Sequence, residues 1–136
     1  MKVQSTNELS NNRFDHYVLD IEVLDSQHKQ MAEDIETLKI SMRLKHFDKC
    51  KRDISKLAED TKLHFEYEEA VMDSICYPFK AFHKTEHQRL LVILDTLIKL
   101  DTINLKSDLT SSLETVVFEH IDTYDRQLAR YINGHE

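Results

Sequence analysis

Leu63 to Leu90 reads L-H-F-E-Y-E-E-A-V-M-D-S-I-C-Y-P-F-K-A-F-H-K-T-E-H-Q-R-L. Two pairs of metal-ligating residue types sit in it, His64 with Glu68 and His83 with His87. Each pair is spaced i, i+4, so on a helix both side chains leave one face, one turn apart. Pro78 separates the pairs. The residue before a proline avoids the α region, so the first helix is predicted to stop near Ile75 or Cys76. Proline is well tolerated at a helix start, so a second helix can begin close behind it. The reading is an antiparallel helical hairpin that aims three imidazoles and a carboxylate inward.

Composition bounds the rest. A chain of 136 residues suits one domain, and its single Gly and single Pro favour long helices over tight turns. The formal charge of −7 disfavours nucleic acid, whose affinity comes from Lys and Arg on phosphates. No apolar run approaches the roughly 20 residues that span a bilayer, and Met1–Asn12 has no signal-peptide core. Cys50 and Cys76 both fall in helical pattern and read as reduced thiols of a cytoplasmic protein. Eight histidines is a high count and calls for a cause.

Residues 1–20 read as an N-terminal arm laid across a bundle, with Phe14, Tyr17, Val18 and Leu19 as its apolar end. The rest, 21–136, reads as one all-α, up-down-up-down four-helix bundle. The predicted helices are Ile21–Leu44, Lys49–Ile75, Phe79–Leu100 and Asp108–Ile132, each with apolar residues three and four apart. His46, Phe47 and Asp48 mark the first turn. Ser107 is the predicted N-cap of the last helix, and Asn133-Gly134 its end. His28 lies in the apolar stripe of the first helix. Taken alone it reads as a core histidine bonded to a backbone carbonyl.

Depth along the bundle follows from a rise of about 1.5 Å per residue. From the first turn, His28 and His64 both lie about 27 Å away. From Pro78, Glu68 and His87 lie about 15 and 13 Å away, and from the last turn His87 and His120 lie about 25 and 24 Å away. The three turns therefore bring His28, His64, Glu68, His83, His87, His120 and Asp125 to one layer, while His16, His46 and His135 stay outside it. Seven ligands are too many for one tetrahedral zinc, and imidazole with carboxylate suits iron. His120 and Asp125 are i, i+5, about 140° apart on an ideal helix. Either both reach in from the flanks of the stripe, or the helix carries a π-bulge. The plainer reading of Asp125 is a surface acid paired with Arg126 or Arg130.

Together these segments resemble the hemerythrins, most closely the bacterial hemerythrin-like domains: L-D-S-Q-H-K at His28, H-F-E-Y-E-E at His64, Tyr77-Pro78, H-K-T-E-H at His83, and H-I-D-T-Y-D at His120. The likeness covers about Asp20 to Ile132, with all seven ligand positions filled in order. It implies an oxo- or hydroxo-bridged pair of iron ions. His83, His87 and His120 would hold one, His28 and His64 the other, with Glu68 and Asp125 bridging. Dioxygen would take the open position on the second iron, in an apolar pocket lined by Phe65, Val117 and Ile121. Family members carry tryptophans near the arm and the pocket; this chain has none, with Phe14 and Val116 in their places. A less filled pocket admits water or larger ligands more readily.

Three functions compete on these grounds. The first is reversible dioxygen binding, for storage or delivery. The second is an oxygen- or redox-sensing input domain excised from a signalling protein, such as one with a diguanylate cyclase or chemoreceptor attached. The third is a di-iron oxidase or reductase. No base or nucleophile is visible in the sequence beyond the metal ligands, so the expectation is a binding protein rather than an enzyme.

Overall fold

Four helical rods pack around a shared interior in the computed structural model, which describes residues 18–99 and 107–134. Helix α1 is Glu22–Arg43, α2 is Phe47–Ser74 and α3 is Lys80–Lys99. The last rod is α4 (Ser107–His120), a π-helical segment (Ile121–Asp125) and α5 (Arg126–Ile132). Both residues flanking the π segment keep right-handed helical backbone, so the rod is unbroken. No described residue is in a strand. Phe14, His16, His135 and residues 100–106 of the last link lie outside the described residues.

Cross-helix contacts establish the topology. Asp34 meets Lys56 and Ser41 meets Asp53, so numbers rise on α1 as they fall on α2. Glu68 meets both His83 and His87 across α2 and α3. Lys39 meets Glu114, and His28 meets Asp125, across α1 and the last rod. His83 and His87 meet Tyr124 and His120 to close the ring. Each neighbour is antiparallel, which is the up-down-up-down bundle predicted.

Helix ends fall within two residues of the predicted ones. The largest shift is at α2, which starts at Phe47 and absorbs Phe47 and Asp48 from the predicted turn. The turn instead uses Lys45, held at φ 58°. The N–H groups of Lys45 and His46 donate to the carbonyls of Met42 and Ser41, a Schellman closure normally built on glycine. Cys76 repeats it at φ 53° after α2, with Cys76 and Tyr77 donating to Asp73 and Met72. The chain's one glycine, Gly134, takes φ 78° after α5, as predicted for Asn133-Gly134.

The core is the joint apolar face of all four rods. Met31, Ile35, Leu38, Ile54, Leu57, Leu94, Val117 and Ile121 form one cluster. Leu19 joins it, so the end of the arm is anchored, and its N–H donates to Asp25 at 2.8 Å. Ala70 on α2 and Ile132 on α5 are exposed. Cys50 is buried and Cys76 exposed, both as free thiols. No helix among the described residues is long and apolar enough to cross a membrane.

Candidate metal centre

The bundle buries a layer of polar side chains that an apolar core would normally reject. His28, His64, Glu68, His83, His87, His120 and Asp125 are each at most 2% exposed. Every predicted ligand is therefore in the interior and in one place. The exposed-acid reading of Asp125 is overturned, since it is completely buried. The π segment accounts for this. Its i→i+5 pattern fits one extra residue into the turn between His120 and Asp125, so both point inward. His46 is exposed, outside the layer as predicted.

The donor atoms form two overlapping groups. One holds His83, His87 and His120 with Glu68 and Asp125; the other holds His28 and His64 with the same two carboxylates. The carboxylates divide their oxygens between the groups. Asp125 Oδ1 faces His83 Nε2 at 2.8 Å and His120 Nε2 at 3.1 Å, while Oδ2 faces His28 Nε2 at 2.9 Å and His64 Nε2 at 3.2 Å. Glu68 Oε1 faces His87 Nε2 at 3.0 Å and His83 Nε2 at 3.3 Å, while Oε2 faces His64 Nε2 at 3.4 Å.

These separations suit a coordination shell. With metal–ligand bonds near 2.1 Å, adjacent donors of an octahedral ion stand about 3.0 Å apart. Several of the contacts also fail as hydrogen bonds. His120 Nε2 is buried without a hydrogen bond although Asp125 Oδ1 is 3.1 Å away, and Glu68 Oε2 is likewise unpartnered. Atoms this close that do not point at each other converge on a point between them. Buried polar groups are otherwise almost always paired.

Outer contacts orient the rings. His64 Nδ1–H donates to Gln27 Oε1 at 2.6 Å, and His87 Nδ1–H to Glu69 Oε2 at 2.8 Å. Each bond commits Nδ1 and turns the Nε2 lone pair into the layer, as outer partners of metal-ligating histidines do. Phe65 stacks flat on His87, with centroids 3.8 Å apart and planes 9° apart, and is 5.8 Å from His64. Phe65 therefore packs hardest against the three-imidazole group. Val117 and Ile121 are buried in the core cluster. Gln27 and Glu69 were not predicted from sequence; only the register between helices marks them.

Electrostatics of the metal-free layer follow from burial. Burial, reinforced by Asp125, pushes the Glu68 carboxyl well above its usual range. Burial acts on Asp125 in the same direction, but the imidazoles around it, His120 foremost, hold it well below. Burial lowers His64 to about 4, and burial with the neighbouring His83 lowers His87 to about 2. Burial also opposes charge on His83, but Asp125 and Glu68 outweigh it and raise His83 to about 9. The layer therefore favours a proton on Glu68 and one on His83, the latter set against Asp125. Both protons must leave when a cation enters.

Similarity to known proteins covers the same residues. The Hemerythrin HHE cation binding domain family matches residues 19–132. A bacteriohemerythrin of Stenotrophomonas maltophilia (strain R551-3) is 25% identical over 117 residues, which is 85% of this chain and 76% of that protein. A bacteriohemerythrin of Pseudomonas paraeruginosa (strain DSM 24068 / PA7) is 34% identical over 68 residues, half of this chain and 44% of that protein. No solved structure matches the chain. With a buried layer of five imidazoles and two carboxylates on four helices, and a family match from the end of the arm to the last helical turn, this chain belongs to the hemerythrin HHE cation-binding family.

Proposed function

We propose that the protein holds two iron ions and binds dioxygen reversibly. One observation carries the reading: Glu68 and Asp125 each present one oxygen to each donor group. A carboxylate split in this way suits two cations side by side. His83, His87 and His120 would hold the first ion and His28 and His64 the second. The donor sets are unequal, five side chains against four, so the second ion keeps room for an exogenous ligand. Bound iron would supply the electrons for dioxygen binding.

The chain's own residues favour binding over turnover. Carboxylate-rich di-iron sites of the ferritin-like class use two E-x-x-H motifs, and here imidazoles dominate. Neutral imidazoles stabilise highly oxidised iron less than carboxylates do. The complete burial of the layer keeps bulk water and its protons away.

The test is metal content followed by an optical spectrum. Iron loaded without air gives close to two ions per chain. The spectrum changes on admitting air and returns under nitrogen. One zinc per chain with no iron taken up, or a spectral change that nitrogen does not reverse, overturns the proposal.

A further inference from the structure

Thr61 is completely buried, and its hydroxyl makes no hydrogen bond. By helical spacing it belongs to the apolar stripe of α2, and its methyl group suits that place. Its hydroxyl does not. A threonine inside a helix usually returns its hydroxyl to the carbonyl four residues back. The exposed Thr85 and Thr96 do so, donating to the carbonyls of Ala81 at 3.0 Å and Val92 at 2.8 Å. Thr61 does not take the equivalent bond to Leu57. Its hydroxyl is a donor in an apolar interior with nothing to donate to.

Its position is informative. Thr61 is three residues before His64 on α2. The register that pairs His28 with His64 and Asp34 with Lys56 sets Met31 opposite Thr61 on α1. Met31 is in turn three residues after His28. Both imidazoles of the four-donor group are therefore flanked on the same side, one helical turn or about 5 Å away along the axis, by Thr61 and Met31. This is the side toward the α1–α2 turn, where the core is apolar: Met31, Leu57, Leu94 and Val117. Thr61 is the buried polar side chain of α2 at that level, and it adjoins the metal position that has the smaller donor set.

We infer that the Thr61 hydroxyl is the hydrogen-bond donor for the outer atom of a small ligand, such as dioxygen or azide, at the metal position held by His28 and His64. The inference rests on the functional reading above. Thr61 touches no metal in this role. It orients the ligand and slows its escape. An apolar pocket with one donor selects ligands that carry an acceptor atom away from the metal.

Thr61→Val keeps the shape and removes the hydroxyl, while Thr61→Ser keeps the hydroxyl. All proteins are loaded with iron and titrated with azide. Thr61→Val weakens azide about fivefold or more through faster release, the equivalent of one hydrogen bond, with two irons retained and the azide stretching frequency shifted. Thr61→Ser stays close to wild type in that frequency. The metal-free proteins give a second readout. Thr61→Val melts at or above the wild-type temperature, because the hydroxyl it removes has no partner to lose. Unchanged azide affinity and frequency in Thr61→Val, or a metal-free Thr61→Val that melts lower, overturns the inference alone. A wild-type protein that takes up iron but binds no azide overturns the functional reading with it.

Discussion

His87 cannot lend Glu68 a proton. Its Nδ1–H is committed to Glu69, and burial holds the ring neutral, so Nε2 turns a lone pair toward Glu68 Oε1 at 3.0 Å. Burial likewise pushes the Glu68 carboxyl well above its usual range. Asp34 shows the same physics outside the metal layer. It is 5% exposed between α1 and α2, bonded to Gln30 at 3.0 Å and Lys56 at 3.2 Å. Burial, with Asp60 beside it, raises its carboxyl to about 6, while Asp34 and the bond from Lys56 outweigh burial and keep Asp60 low. The folded chain thus holds this proton more tightly than the unfolded chain. The stability it contributes is full below about pH 4 and is lost as pH rises through about 6. Asp34→Asn is neutral at every pH and keeps the shape of the side chain. It should raise stability at pH 7 by on the order of 1 kcal/mol and flatten the slope between pH 4 and 6. Urea denaturation of both proteins in one metal state, at several pH values, checks this; an unchanged slope would show that the Asp34 carboxyl is not raised.

At the scale of elements, the π segment and the two left-handed turns do the work that the sequence leaves least visible. Lys45 and Cys76 adopt a conformation that costs a non-glycine residue roughly 1 kcal/mol, and each is held by two backbone hydrogen bonds. The π segment is held because it lets His120 and Asp125 share one layer. Removing its extra residue tests that. Thr123 is exposed, and its deletion restores a spacing of i, i+4 with ordinary α geometry. The prediction is that helix content by circular dichroism survives and iron per chain stays close to the wild-type value, because i, i+4 on an α-helix again presents both ligands to one face. Iron lost by the deletion variant would mean that the bulge does more than bring His120 and Asp125 to one face.

The whole molecule encloses a layer that opposes its own core. Two carboxylates and five imidazoles in a dry interior are costly unless compensated. Protons compensate them in part, yet His28 Nδ1, Glu68 Oε2 and both ring nitrogens of His120 remain without hydrogen bonds. A cation bound only by the folded state adds stability by mass action, about 4 kcal/mol at a thousandfold excess over its dissociation constant. Iron loading should therefore raise the melting temperature by on the order of 10 °C. Calorimetry of metal-free and loaded protein checks this, and superimposable transitions would argue that the seven residues do not form a metal site.

Helix number, order and approximate ends are legible in the sequence because amphipathic spacing and the lone Pro78 are local properties. So is the common depth of the seven ligand residues, because helical rise is constant and links are short. Local pattern could not decide whether Asp125 faced solvent or the layer. An i, i+5 pair is ambiguous until packing against three other helices determines whether a π turn is worth its poorer geometry. Nor could pattern assign Glu69 to His87, Gln27 to His64, or Asp34 to Lys56, since each pair is set by the register of neighbouring helices. Thr61 shows the division most clearly. Spacing places it on the apolar face of α2, and only the packed interior reveals that its hydroxyl is left without a partner, because a hydrogen bond exists between groups brought together and not in the chain that carries them.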